Sequence, residues 1–442
     1  MSRFVVSWFL LLLLPPIMFA QTPKELADIW ESQHVSRILP SDVRHKDLKV
    51  YLEQLRSLGS NVAEVGRSVS GKEIYQIEFG NGPLKVFLWS QMHGDEPTAT
   101  SSLIDLFAVF QMNREAPWVT KIAESMTIRA VPMLNPDGAD QFIRRNLQGL
   151  DINRDAIALK SPEARLLKKL RDDWSPHIGF NLHNQNSRTT AGESFRQAAM
   201  SFLVVYGDAA KTTSDGHERN KRLVSGMVRA VEEFIPGQVG KYDDEFTATA
   251  FGDNFSAWGT PAILIETGGL HGRSEMFLVK LNFVAIATAL KSLADGSQRS
   301  FDPQIYDRLP QNTSGRLMDV IFRNCSIILG ELKDQPFMIV EIVSGDIGIN
   351  AERRRASFPV PMVVRRIGEL SGVRGLEEYD ARGFHVVGRR QPIAVGGFAE
   401  LLFYKKDRQI DWRGPDLEQT HQPDAIYSVG RWVMGEGVVP KR

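Results

Sequence analysis

A single cysteine, Cys325, stands in a chain of 442 residues. One thiol makes no intrachain disulfide, so core packing and hydrogen bonding must hold the fold together. The chain also lacks an excess of either charge, with 53 Lys and Arg against 53 Asp and Glu. That balance gives no basic face for nucleic acid and no polybasic tail for a membrane surface. Beyond residue 20 there is no uninterrupted apolar run long enough to span a bilayer, no tandem repeat and no low-complexity tract.

What is present begins with MSRFVVSWFLLLLLPPIMFAQ. A lone Arg3, an apolar run from Phe4 to Leu14, a Pro15-Pro16 break and Ala20 form a secretory signal pattern, with cleavage expected after Ala20. No cysteine follows that point, so no lipid anchor is expected. The expectation is an exported protein, periplasmic or secreted, with no stable membrane anchor. Cys325 is expected to be a buried core residue.

The remaining chain divides at about residue 297. Residues 21–297 alternate apolar runs of strand length with helical segments. The runs are 84–90, 126–134, 178–182, 202–206 and 262–265. The helical segments are 98–110, 161–173, 218–234 and 274–294. Near-continuous apolar strands between helices predict an α/β domain with a mixed, mostly parallel central sheet flanked by helices. Before them, VGRSVSGKEIYQIEF turns at Ser70-Gly71 and reads as a hairpin. Residues 298–442 change character to short β-branched runs broken by Gly, Pro and Asn. They predict a smaller, mainly β domain, read as a sandwich, with Leu317–Ile321 as its one short helix.

Chemistry-bearing residues collect at predicted strand ends, where ligands of open α/β sheets gather. His93-Gly94-Asp95-Glu96 follows the 84–90 strand. Alone, this is as readily a solvated turn as half of a metal site. Imidazole and carboxylate three residues apart can chelate one ion if Gly94 permits a tight turn. His183 ends the 178–182 run and could be a third ligand or a hydrogen-bonded structural histidine. Glu266 ends 262–265, where a carboxylate needs either a partner or a task, such as taking a proton from an activated water. Arg144 and Arg154 are each ordinary surface charge taken singly, but with Asn153 they form a set whose guanidinium forks can bind carboxylates.

HGDE, NPDG, RRN, DINRD, NLH and IET occur in the order seen in zinc metallocarboxypeptidases of the carboxypeptidase A/B type. The resemblance covers roughly residues 45–295 and implies a carboxypeptidase-like α/β fold. It implies one Zn2+ held by His93, Glu96 and His183. It implies Glu266 as general base and acid, and Arg144 as the group that stabilises the oxyanion. Asn153 and Arg154 would grip the terminal carboxylate of a peptide with a free C-terminus, and Tyr242 is the nearest match to a substrate-capping tyrosine. Two positions depart from the pattern. Asp155 stands where an Asn is usual, and Asp95 stands where digestive relatives carry a basic residue. Phe251 and Asp253 are alternative candidates for the floor of the pocket for the last side chain, where an Asp would favour Lys or Arg and a Phe would favour apolar residues. A zinc amidohydrolase of cell-wall peptides or other acyl-amides, and a non-catalytic binding protein worked by its β domain, are the competing readings.

Overall fold

The computed structural model describes residues 21–329, 342–352, 361–412 and 417–442. The expected signal segment, 1–20, lies outside the described residues, as do residues 338–341 of the apolar run 338–343, which reads as a strand in sequence.

Apolar runs buried on both faces build the centre of the first sheet. Its strands are β1 (Asn61–Arg67), β2 (Glu73–Phe79), β3 (Leu84–Ser90), β4 (Met126–Val131), β5 (Ile178–Asn184), β7 (Met200–Val204), β8 (Val239–Lys241) and β9 (Ala262–Thr267). The two-residue β6 (Thr190–Ala191) stands apart from it. The order is β1-β2-β4-β3-β5-β9-β7-β8. β4, β3, β5 and β9 are adjacent and mutually parallel, while β1-β2, β2-β4 and β9-β7 pair antiparallel. The sheet is therefore mixed, with the four strands that carry chemistry at its centre and all their carboxyl ends on one edge. The hairpin expected at Ser70-Gly71 is the β1–β2 pair, with Gly71 at φ 84°.

The two sheet faces bury different side chains. Val86, Leu88, Ile178, Phe180, Ile263 and Ile265 pack with the helices Thr98–Met112, Asp215–Glu232 and Glu275–Asp295. Phe87, Trp89 and Leu264 face the other way, onto Pro162–Trp174 and Phe251–Ala257. Helix Glu275–Asp295 is long and apolar enough to cross a membrane, but most of it is buried in this core. Ser161, Ser214 and Ser274 cap their helices by accepting a backbone N–H, as their position before apolar-periodic segments predicts. Asp105, fully buried, accepts from Trp30 Nε1, Ser36 Oγ and the amides of Val35 and Ser36, which ties the first helix (Pro23–Gln33) to the core.

The second region is mainly β, as expected, but its form differs. After the short β10 (Asn312–Thr313) come β11 (Leu317–Ile328), β12 (Ile342–Ala351), β13 (Met362–Gly368), β14 (Arg374–Asp380), β15 (Phe384–Gly388), β16 (Leu401–Lys405), β17 (Ala425–Ser428) and β18 (Arg431–Met434). Among the described residues these make one hydrogen-bonded sheet rather than the two of a sandwich. β11 is its spine, with β12 along one edge and β14 then β15 along the other. Leu317–Ile321 is thus strand, not helix. The run lacks a strand's alternation because β11 is buried on both faces, Asp319 included. Arg323, within β11, is buried and pairs with Asp346 and Glu378 at 2.9 and 2.7 Å. Cys325 is buried and free.

The two regions are stitched together. β10 pairs with β6, and Arg188 meets Asp319 at 3.0 Å.

Candidate metal and active site

Three side chains arrive at the carboxyl edge from one loop and one strand end. His93 and Glu96 lie between β3 and helix Thr98–Met112, and His183 lies near the end of β5. The turn at His93 works differently from the sequence expectation. The left-handed residue is Gln91, φ 51°. Gly94 is needed because a Cβ there would lie 2.0 Å from the carbonyl carbon of Gly138. HGDE and NPDG therefore pack backbone against backbone. Asn135 clamps the pair, donating from Nδ2 to Met92 O and accepting at Oδ1 from Gly138 N.

One potential ligand atom from each of His93, Glu96 and His183 lies within 4.8 Å of the others. His93 Nδ1 is 2.8 Å from Glu96 Oε1, and His183 Nδ1 is 2.6 Å from Glu96 Oε2. The two Nδ1 atoms are 3.2 Å apart. His93 Nε2 is held by Asp151 Oδ1 at 3.1 Å, which leaves Nδ1 as the ring nitrogen facing the cluster. His183 Nε2 is buried without a partner, so Nδ1 is its one engaged nitrogen. Two imidazoles and one carboxylate converging in this way are the donor set of a three-ligand zinc site with a position left for water. The residues fit one zinc ion.

Electrostatics agree with the geometry. Burial opposes charge on His93, but Glu96 and Asp151 outweigh it and push its pKa up to about 9. Burial likewise opposes charge on Glu96, yet His93 and His183 hold its carboxyl well below the usual range. His183 is pushed down by burial. The cluster thus attracts positive charge, and Arg144 answers it. Its Nη1 is 3.1 Å from Glu96 Oε1 and its Nε is 3.0 Å from Asp151 Oδ2.

Glu266 is the Cα partner of His183 across the β5–β9 pair. It is 7% exposed, and its carboxylate accepts no hydrogen bond among the described residues. Burial first, and the Glu96 charge second, raise its pKa well above the usual Glu value. Together with His93, Glu96 and His183 it lines a cavity of about 510 Å³ that also takes in Arg144, Asn153, Arg154 and Tyr242. His93, Glu96, His183, Glu266, Arg144, Asn153, Arg154 and Tyr242 therefore share one cavity. Asn153 Oδ1 accepts from Phe251 N at 2.9 Å, which turns the amide Nδ2 into its free end. Tyr242 is half-buried, and the Glu266 charge with burial raises its phenol pKa.

Three positions read differently once seen in place. Phe251 is fully buried against Phe255 and Trp258 and does not line the cavity, whereas Asp253 does. Asp155 is buried and accepts from Lys160 N, Ser161 N and Ser161 Oγ, so it builds the turn into helix Pro162–Trp174. Asp151 was not singled out beforehand. Its signal was present in GLDINRD, where it precedes the Asn-Arg pair by two residues.

The zinc carboxypeptidase family model matches residues 48–231. The match contains His93, Glu96, Arg144, Asn153, Arg154 and His183 and ends before Tyr242 and Glu266, which the fold brings in. Among curated proteins, Carboxypeptidase 2 of Trichophyton rubrum is 35% identical over 158 residues, covering 36% of this chain and 27% of that protein. Carboxypeptidase 2 of Trichophyton tonsurans is 30% identical over 158 residues, with the same shares. The chain thus spans about a quarter of the length of these relatives. A metallo-carboxypeptidase from Pseudomonas aeruginosa, solved with (2-guanidinoethylmercapto)succinic acid, is 19% identical at a TM-score of 0.47, over 57% of this chain and 68% of that one.

Proposed function

We propose that this chain is a zinc-dependent carboxypeptidase that removes the last residue of peptides with a free carboxyl end. The observation that carries the reading is Glu266: a buried carboxylate with no hydrogen-bond partner, in register with His183 and facing the His-Glu-His cluster across one cavity. A carboxylate held there with its pKa raised is a proton acceptor awaiting a substrate or water.

Zinc bound by His93, Glu96 and His183 supplies Lewis-acid polarisation and a lowered pKa for water. The protein groups do the rest. Glu266 takes the proton of the attacking water and passes it to the leaving amine. The Arg144 guanidinium, already beside Glu96, stabilises negative charge developing on the carbonyl oxygen. Arg154, exposed at the rim, and the free amide end of Asn153 bind the terminal carboxylate. Tyr242 covers the bound residue from the opposite wall. Asp151 holds the His93 ring.

Export is part of the proposal and rests on the signal pattern of residues 1–20. Fractionation with N-terminal sequencing tests it, the expected mature start being Gln21. The activity is tested by incubating zinc-loaded protein with a blocked dipeptide and with its C-terminal amide. Release of the last residue from the free acid alone supports the reading. Cleavage of both, or of neither, refutes it.

A further inference from the structure

One row of residues crosses four strands of the first sheet in register: His183 on β5, Glu266 on β9, Ser201 on β7 and Gly240 on β8. Residues directly opposite one another share a face, with Cβ atoms about 4.5–5.5 Å apart. With His183 on one side of Glu266, its neighbour on the other side is therefore the Ser201 hydroxyl. Ser201 is wholly buried, and from that place it could donate to the carboxylate. It does not. Its hydroxyl donates to Asn312 Oδ1 at 2.9 Å.

The direction of that bond is fixed from a backbone carbonyl. Ala198 O can only accept, so Gln185 turns Nε2 toward it, at 2.9 Å, and the same Nε2 reaches Ser201 Oγ at 2.9 Å. Gln185 Oε1 is left to accept from Asn312 Nδ2 at 2.6 Å. The other end of the Asn312 amide, Oδ1, has no proton to give, so Ser201 supplies one. Gln185, Ser201 and Asn312 thus close a ring in which each side chain is bonded to the other two. Gly240 makes room for it, since a Cβ there would lie 2.1 Å from Asn312 Oδ1. The backbone that carries Asn312 is held beside β8, with Lys241 N donating to Pro310 O at 2.8 Å and β10 paired to β6.

Asn312 comes from the second region, past the residues that the family model matches. Resting on the carboxypeptidase reading, we infer that Asn312 is a positioning residue for Glu266: by holding the Ser201 hydroxyl proton, it keeps the carboxylate opposite free of hydrogen bonds and open to the attacking water. A carboxylate that already accepts from a hydroxyl is a weaker acceptor for a second proton and is turned toward its partner. The role passes through Ser201 and requires no contact between Asn312 and the peptide.

The test uses the full zinc-loaded chain and a blocked dipeptide with a free carboxyl end. N312A releases the hydroxyl to turn toward Glu266. Its kcat should fall about tenfold or more, the effect of one hydrogen bond to a charged group, while KM and zinc content stay within about twofold of wild type. G240A reaches the same end by another route, because its new Cβ displaces the Asn312 amide. It should lower kcat likewise, and it stands in for N312A if that variant does not fold. The deciding protein is S201A/N312A, which lacks both the hydroxyl and its acceptor. Its kcat should return to that of S201A. A ring that merely props the cavity wall predicts the reverse, a double variant no faster than N312A, and that result overturns the inference. Wild-type kcat in N312A or G240A overturns it too, and a raised KM beside that kcat places Asn312 at the substrate instead. Each of these leaves the carboxypeptidase reading intact. Wild-type protein that releases no residue overturns both readings.

Discussion

Asp151 Oδ1 lies 3.1 Å from His93 Nε2, while its other oxygen holds Arg144 Nε at 3.0 Å. One carboxylate therefore orients a metal-ligand ring and the guanidinium beside it. Asp151→Asn keeps the size and loses the charge. It should weaken zinc binding about 10- to 100-fold, as removal of a ligand's supporting partner typically does. Competition with a chelator measures this. Unchanged affinity would mean that the ring is held by its packing alone.

Glu266→Gln should retain zinc at the wild-type ratio and lose about 10²- to 10⁴-fold in kcat, the range for removal of a general base. Metal analysis and turnover on the same preparation decide the matter. Turnover within a few-fold of wild type would sink the proton-transfer role.

Arg154→Ala should cost about tenfold to hundredfold in kcat/KM on peptides with a free carboxyl end, from loss of hydrogen bonds to a charged group. An enzyme that does not read the carboxylate would show equal rates for the variant and wild type, and would also cleave the amide.

Metal-free protein should lose stability as pH rises. Its His93, held up to about 9 by Glu96 and Asp151 against burial, contributes stability that is complete below its unfolded pKa of about 6.5 and is lost as pH climbs through about 9. His183, which burial pushes the other way, acts below that window. The zinc-loaded protein should show the opposite slope for binding, since the ligand rings must be unprotonated. Melting temperatures of chelator-treated protein at several values between pH 6.5 and 9.5 check the sign. A rising curve contradicts it.

Asp155→Asn should lower stability by about 1–3 kcal/mol, because a buried oxygen that accepts from Ser161 would be replaced by a donor or lost. KM should not move, since Asp155 faces the helix turn. A changed KM with an unchanged melting temperature would place it at the substrate instead.

The central strands and the residues at their ends were legible in sequence because burial on both faces leaves apolar runs, and chemistry sits where those runs stop. His93, Glu96, His183 and Glu266 are each adjacent to such a stop. What the sequence hid follows from the same physics. Leu317–Ile321 was taken for a helix because a strand buried on both faces loses its alternation, leaving only length to judge by. Gly94 was explained by its own turn, when the reason is the backbone of Gly138, 44 residues on. Phe251 and Asp253 could not be told apart as pocket residues until the helix placed one inward and the other on the cavity. Asp151 escaped because its partner is a ring nitrogen from another loop.

Asn312 and Ser314 line the same cavity as the metal cluster, and Asn312 Nδ2 donates to Gln185 Oε1 at 2.6 Å, two residues past His183. The sequence changes character near residue 297, yet the cavity does not end there. A fragment cut at that visible seam would carry every metal and catalytic side chain and still have a breached wall. Here the border drawn from composition and the border of the cavity do not coincide.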